Sequence, residues 1–188
     1  EVWDAQLIPS GNYIHAQRKA FLHEFIPVFK RFYQEIGQNA DYVDVTYRSQ
    51  LTDASFENLM QASARKDALT QYTNVGIHKD DLLFSIKGHP VKKFGSQGQQ
   101  KSFIIALRLA QFDWLKQHKG QKPVLLLDDI FDKLDNERVA RLIALVSADY
   151  FGQVLITDTD PERMQALFAQ LPGQTQLFQI KDQQAIAL

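Results

Sequence analysis

Cysteine is missing altogether from the 188 residues, and methionine and tryptophan each occur only twice. Without cysteine there is no disulfide framework, and a reducing compartment such as the cytoplasm fits the composition. No apolar run approaches the roughly 18 residues that a helix needs to cross a bilayer, and no signal-peptide pattern opens the chain, so no membrane partner is expected. Neither charge is in surplus: 21 basic against 22 acidic residues leave a net charge of −1, and any contact with a polyanion has to be local. No Gly-x-x-x-x-Gly-Lys-[Ser/Thr] occurs, so the common loop that cradles β- and γ-phosphates is not among these residues. The chain starts at Glu1 rather than a methionine and is expected to be a processed or truncated piece. A hydrophobic content of 45% still suffices for one medium domain, or for part of a larger one.

What is present centres on residues 95–135. A polar, glycine-bearing turn, Gly95-Ser96-Gln97-Gly98-Gln99-Gln100-Lys101, runs straight into residues 102–110, which have helical composition and no breaker. A helix start leaves backbone N–H groups unpaired and carries about half a positive charge, which attracts an anion, most often a phosphate. The same residue types also make an ordinary helix cap. The helix is expected to run to about His118, where residues 119–123 stop it. Val124-Leu125-Leu126-Leu127 then reads as a strand covered on both faces, and it ends in two adjacent carboxylates, Asp128 and Asp129. Ile130-Phe131-Asp132-Lys133-Leu134-Asp135 opens another helix, with Asp135 as its cap and Val139, Leu142, Ile143 and Val146 at helical spacing. Residues 153–157 form the next buried strand, finishing in Asp158-Thr159-Asp160. Pro161, capped by Asp160, starts a helix through Met164, Leu167, Phe168 and Leu171. A last short strand covers residues 177–180. Strands alternating with helices indicate an α/β layer fold.

The first part of the chain reads differently. Residues 2–7 look like the remnant of a helix stopped by Pro9-Ser10-Gly11. Ile14, Phe21, Phe25, Val28, Phe32 and Ile36 fall near heptad spacing and predict one long amphipathic helix, kinked at Pro27. Arg18, Lys19, Lys30 and Arg31 lie beside that stripe. The stripe suits packing against neighbouring helices, and the basic side chains suit DNA phosphates. Residues 41–47 alternate with period two, as in a half-buried strand. Phe56, Leu59, Met60 and Leu69 predict a helix over about 53–72, capped by Thr52 or Asp53. Gly76-Ile77-His78-Lys79-Asp80-Asp81 precedes a strand candidate at 82–87, and Gly88-His89-Pro90 reads as a turn. His78 with Asp80 and Asp81 could ligate a metal, though no spacing motif supports it; the other reading is an internal hydrogen-bond network that holds the 95–101 loop.

In its order, the stretch 95–135 resembles the second half of an ABC-type ATPase head. The resemblance makes Ser-x-Gly-Gln the signature loop, the apolar run with Asp128 the Walker B strand, and Leu134-Asp135 part of the D-loop. Together with Gly76-Ile-His-Lys-Asp-Asp-Leu82, these motifs are similar to those of the bacterial RecF recombination-mediator family, and the likeness extends more loosely over nearly the whole chain. That family has Pro and Arg where this chain has Ile77 and Lys79. The resemblance implies the C-terminal lobe of the head over residues 76–188. It also implies, over residues 1–75, part of an inserted, mainly helical lid. The whole would be roughly the C-terminal half of a longer bacterial, cytoplasmic ATPase.

The resemblance also implies roles. Asp128 would hold Mg²⁺ through water, and Asp129 would orient or deprotonate the attacking water, at a place where most ABC heads have Glu. Ser96, Gly98 and Gln99 would contact the γ-phosphate of ATP held by another subunit, so that ATP joins two heads. Transporter heads carry a switch histidine after the strand at 153–157. Here Thr157, Asp158 or Thr159 would sense the phosphate or the water instead. Gly76, His78, Lys79, Asp80 and Asp81 form a family motif with no assigned role. Implied partners are double-stranded or gapped DNA, a second copy of the chain, and RecR- and RecO-type mediator proteins, in loading recombinase at gaps during repair and replication. The alternatives are a head from another ABC-type or structural-maintenance-of-chromosomes (SMC) ATPase, or a non-catalytic DNA-binding or structural fragment.

Overall fold

Local breaker residues do not end the first helix. In the computed structural model, which describes residues 3–37, 41–132, 134–147, 150–169 and 175–188, helix α1 runs over Asp4–Ile36 with Pro9 and Pro27 inside it. The expected stop at Pro9-Ser10-Gly11 is therefore incorrect. The reason is packing: Gly11 is buried, and a Cβ there would lie 2.4 Å from the ring of Phe56. Tertiary contact overrides the weak local preference against continuing the helix. The buried stripe of α1 also differs from the expected one. It comprises Leu22, Phe25, Phe29, Phe32, Tyr33 and Ile36, whereas Phe21 is 37% exposed. Steps of three and four residues keep one face inward, and the seven-residue spacing through Phe21 drifts off it.

The chain divides into two compact units, residues 1–28 with 41–94, and residues 29–40 with 95–188. The boundary expected between residues 75 and 76 lies inside the first. In that unit, strand β1 (Val43–Arg48) pairs antiparallel with β2 (Asp81–Ile86), and β2 pairs with the short β3 (His89–Pro90). Val43 and Val45 alternate inward, as their period-two pattern requires. The β2–β3 connection is the two-residue turn Lys87-Gly88, with φ of 50° and 76°, a left-handed pair that twists with the strands. Between β1 and β2 lies helix α2 (Phe56–Thr70), whose N-cap is Ser55 rather than Thr52 or Asp53. Ser55 Oγ accepts the N–H of Asn58 at 3.2 Å. Thr52 instead closes a short 3-10 turn over Gln50–Thr52. Phe56 enters the core, and Leu69 is 78% exposed. Short helix α3 (Val91–Phe94) ends the unit's sequence.

In the second unit the end of α1 is followed by helix α4 (Gln97–Lys119), stopped by Gly120 in the left-handed region at φ 66°. Strand β4 (Leu125–Asp128), helix α5 (Asn136–Val146), strand β5 (Val154–Thr157) and helix α6 (Pro161–Phe168) follow. Strands β4 and β5 are parallel, with Asp128 opposite Thr157. The core joins residues 29–36 of α1 to α4: the rings of Phe29 and Phe103 are 4.7 Å apart, and those of Phe112 and Phe151 are 4.8 Å apart. Leu125 and Leu127 are buried. Their neighbour Leu126 and its register partner Leu155 are 67% and 51% exposed. The expectation that this strand is covered on both faces thus fails within the chain, because the second face has no layer on it among the described residues.

The chain closes on a hairpin, β6 (Phe178–Lys181) with β7 (Gln184–Ala187). Only the first of these strands is expected from sequence. Asp182 and Gln183 turn the corner with φ of 51° and 63°, the two positive values that such a tight turn demands, without the glycine that usually signals it. Leu171, expected in the helix that begins at Pro161, lies outside the described residues.

The contact at Gly11 gives a test. In an exposed helix Gly→Ala stabilises by up to about 1 kcal/mol. Here Gly11→Ala should instead destabilise by about 1–3 kcal/mol, because the new methyl meets the Phe56 ring. Urea denaturation reads the difference, and the smaller Phe56→Leu combined with Gly11→Ala should cost less than the sum of the two single changes.

Candidate functional site

The polar loop is the first turn of α4. Ser96 caps it: its Oγ accepts the N–H of Gln99 at 3.2 Å, while Gln99 Oε1 accepts the N–H of Ser96 at 2.7 Å. This reciprocal capping box ties both ends of the turn. Gln100 adds a bond of 2.8 Å from its Nε2 to the carbonyl of Gly95. The loop is consequently ordered by its own side chains. Gly98 sits within the first turn. No acidic residue occupies this turn, so the positive end of the helix keeps its attraction for an anion.

The two carboxylates are held differently. Asp128 ends β4, and Thr157 ends β5 beside it. The Thr157 hydroxyl donates to Asp128 Oδ1 and accepts the backbone N–H of Asp129, the latter at 3.2 Å. Asp129 has φ of 45°, a left-handed conformation that side-chain-bearing residues adopt at a cost of about 1–2 kcal/mol. Lys101, one turn into α4, donates its ammonium to the Asp129 carbonyl at 2.9 Å. The Asp128–Asp129 corner is thereby connected to both β5 and the helix that carries Ser96. Lys101 was not singled out from the sequence. Its position next to Ser-x-Gly-Gln was visible, but its partner, 28 residues away, was not.

Asp128, Asp129 and Thr157 offer oxygen donors only, and among the described residues no cluster of three His, Cys, Asp or Glu could hold a metal. A set with two carboxylates and no full cage fits Mg²⁺, which keeps several of its waters, and does not fit zinc.

The residues following β5 are not equivalent. Asp158 is turned inward with a fully buried side chain, and Arg163 grips both its oxygens, at 2.6 and 2.5 Å. Asp158 Oδ1 also accepts the N–H of Asp160 at 2.7 Å. Burial works to raise the Asp158 carboxyl; the Arg163 hydrogen bonds and charge, with backbone N–H groups, outweigh it and hold the carboxyl below its ordinary value. Thr159 is exposed. Asp160 caps α6 through the N–H of Arg163, with Pro161 in the first turn. Asp135 likewise caps α5 through the N–H of Arg138, and Leu134 precedes it half-buried. Of the three residues considered as a switch, only Thr157 touches the paired acids.

The 76–81 motif forms a separate cluster in the first unit. Arg18 on α1 donates one Nη1 to Asp80 Oδ2 at 2.6 Å and to the carbonyl of Ile77 at 2.8 Å. The Tyr47 hydroxyl also donates to Asp80 Oδ2. With that proton committed, His15 Nδ1, 3.2 Å from the same hydroxyl, must be the donor of its pair. Burial opposes ionisation of Asp80. The neighbouring Ser49 hydroxyl, the bonds from Tyr47 and Arg18, and the Arg18 charge prevail and keep its carboxyl low. His78 Nε2 lies 3.0 Å from the carbonyl of Thr73, Lys79 sits over the Tyr72 ring at 5.6 Å, and Asp81 Oδ1 accepts the N–H of Leu82. The expected internal network exists, but its partners are α1 and β1 rather than the 95–101 loop. Gly76, at φ 118°, gives its N–H to Gln50 Oε1, and a Cβ there would lie 2.8 Å from the Phe56 ring. Arg18, considered as a DNA contact, is thus engaged inward, and Arg31 lies 3.7 Å from the buried Asp113.

No family model matches the chain. Curated relatives do: a DNA replication and repair protein RecF of Flavobacterium johnsoniae is 51% identical over 166 residues, covering 88% of this chain and 46% of that protein. The RecF of Bacteroides fragilis strain YCH46 is 41% identical over 180 residues, covering 96% of this chain and 49% of its own. The chain spans about half the length of the curated relatives it matches. A solved structure of the recombination mediator protein RecF with ATP, in the RecFOR pathway, matches all of this chain and 49% of its own, at 25% identity and a TM-score of 0.72. An SMC head bound to the C-terminal winged-helix domain of ScpA matches 90% of this chain at a TM-score of 0.53 and 12% identity, a likeness of fold alone. The fold is α/β and is that of half of such ATPase heads.

The buried pair at Asp158 predicts a pH dependence. Its folded-state value lies below the unfolded value of about 3.9, so the pair stabilises fully above that pH and the contribution is lost as pH falls through the folded-state value. The melting-temperature gap between the wild type and Asp158→Asn should be full at pH 7 and shrink as the pH falls below the unfolded value. A gap that stays constant with pH would contradict the charged pairing.

Proposed function

The chain belongs to the RecF family over the half of the family's length that it spans, and from that premise we propose that it supplies the signature, Walker B and D-loop parts of a bacterial, cytoplasmic ATPase head that dimerises on ATP. The observation that carries the reading is the Asp128–Asp129 corner at the ends of parallel strands, connected through Lys101 to the helix that Ser96 caps. Ligands in open α/β sheets bind outside the carboxyl ends of the strands, which is where these acids stand. In this reading residues 1–75 are part of the inserted lid and residues 76–188 the C-terminal lobe of the head. The missing length of the relatives brings the phosphate-cradling loop and covers the exposed Leu126–Leu155 face.

Each residue then has a role. Asp128 would hold Mg²⁺, and Thr157, which donates to its Oδ1, leaves Oδ2 for that task. Asp129 orients or deprotonates the attacking water. Bound Mg²⁺ would neutralise charge on the phosphates. Ser96, Gly98 and Gln99 meet the γ-phosphate of the partner subunit's ATP, for which Ser96 and Gln99 exchange their mutual cap for the anion. Leu134 and Asp135 lie beside the composite site. Closing two heads on ATP creates the surface that holds double-stranded or gapped DNA, and RecR- and RecO-type mediators act with it in loading recombinase.

Two measurements test this. The 188-residue chain alone should hydrolyse ATP no faster than buffer, since it has no phosphate-cradling loop. In a protein with both halves, Ser96→Arg should block productive dimers, and Asp129→Asn should cost on the order of 10²- to 10⁴-fold in rate. Mixed 1:1, half the dimers are heterodimers with one intact composite site of two, so activity should return to about a quarter of wild type. If heterodimers form and a single intact site is competent, yet no rescue appears, the assignment of Ser96 to the partner's site is wrong.

A further inference from the structure

The left-handed peptide at Asp129 is held from both sides. Its N–H is taken by Thr157 Oγ1 at 3.2 Å and its carbonyl by Lys101 Nζ at 2.9 Å. A single clamp could be incidental; two, from β5 and from α4, fix both peptide planes that flank the Asp129 side chain. An aspartate has only two side-chain torsions, so the direction of its carboxylate is set largely by those planes. Lys101 lies five residues after Ser96, in the same helix, and α4 is rigid from Gln97 through Lys119 by its own hydrogen bonds.

We propose that Lys101 is a positioning residue for ATP hydrolysis: it acts through the backbone of Asp129 in its own chain, while the Ser96 end of the same helix serves the partner's nucleotide. This rests on the reading of Asp129 as the water-orienting acid. Helix α4 then joins two sites. Its first turn touches one ATP, and one turn further on it sets the acid that orients the water attacking the other. A movement of α4 on engaging the γ-phosphate is transmitted to Asp129 across one hydrogen bond, with no further element between. Thr157 holds the opposite side of the peptide and keeps Asp128 in register with it.

The role separates from direct phosphate binding, for which a lysine beside a signature loop would otherwise be taken. If Lys101 held the γ-phosphate in trans, its loss would weaken ATP-dependent dimerisation. If it positions Asp129, its loss lowers kcat and leaves KM and dimerisation nearly unchanged.

The experiment uses a protein with both halves. Lys101→Met should lower kcat roughly tenfold, keep the ATP KM within about twofold, and leave dimerisation intact; Lys101→Arg, which can still donate to the carbonyl, should recover most of the loss. Mixtures then assign the chain. Lys101→Met mixed with Asp129→Asn should give no rescue, because the only intact Asp129 shares its chain with the missing lysine. Lys101→Met mixed with Ser96→Arg should rescue toward about a quarter of wild type, because one site keeps Lys101 and Asp129 together opposite an intact Ser96. The reverse pattern, an unchanged kcat, or lost dimerisation in Lys101→Met would overturn the proposal. A readout without turnover keeps it distinct from the ATPase reading: in nucleotide-free protein the carbonyl ¹³C resonance of Asp129 should move upfield in Lys101→Met as the hydrogen bond is lost. Absence of wild-type hydrolysis would remove the ATPase reading; an unmoved Asp129 carbonyl would remove this one.

Discussion

The parallel pairing of β4 with β5, in the register that sets Asp128 opposite Thr157, is the constraint on which the rest of the site depends. Residues 124–127 and 154–156 are apolar throughout, so the hydrophobic pattern alone would tolerate a shift of one residue, and what distinguishes the observed register is the bond from Thr157 to Asp128 at the strand ends. With the register fixed, the Thr157 hydroxyl reaches both Asp128 and the peptide of Asp129. A two-stranded parallel sheet is weak by itself. Here Leu125 and Leu127 are buried on its inner face, in a unit where Phe29, on α1, meets Phe103, 74 residues away, and Phe112 meets Phe151. The site is therefore built on long-range packing, and the short polar motifs only decorate its edge.

What the sequence made legible was what is local. Asp135 and Asp160 were readable as caps because a capping carboxylate acts within three residues, and Pro161 and Gly120 because their backbone preferences are intrinsic. The order of β4, α5, β5 and α6 followed from periodicity. The failures lie where distant residues decide. Pro9 does not stop α1, since Gly11 packs on Phe56 from 45 residues away. Ser55 outcompeted Thr52 and Asp53 for the cap once a 3-10 turn had taken Gln50–Thr52. Strand β7 went unseen because its turn uses Asp182 and Gln183 where glycine or asparagine would announce it.

The charged residues show the same division. Arg18 and Arg31 looked like a surface for phosphates when only their spacing was known, yet Arg18 is bound to Asp80 and the Ile77 carbonyl, and Arg31 lies near Asp113. The two arginine side chains are nevertheless 42% and 52% exposed, so these contacts reduce rather than abolish what either offers to a ligand. Lys101 makes a weaker demand. A carbonyl on the edge of a strand can be satisfied by water, and a lysine that nonetheless takes that place contributes orientation more than stability.

The conformation of Asp129 also bears on why an aspartate stands there when most ABC-type heads, to which this stretch bears a resemblance, have glutamate. At φ of 45° a residue with a Cβ is strained, and aspartate and asparagine tolerate that region better than other side chains because a short polar group can bond locally. Glutamate has a longer reach but no such relief. The turn costs about 1–2 kcal/mol, and the bonds from Thr157 and Lys101, each about 0.5–1.5 kcal/mol net or more when charged, are of the size needed to hold it. Aspartate, turn and clamp form one arrangement, in which replacing Asp129 by glutamate would alter the reach of the carboxylate and the strain beneath it together.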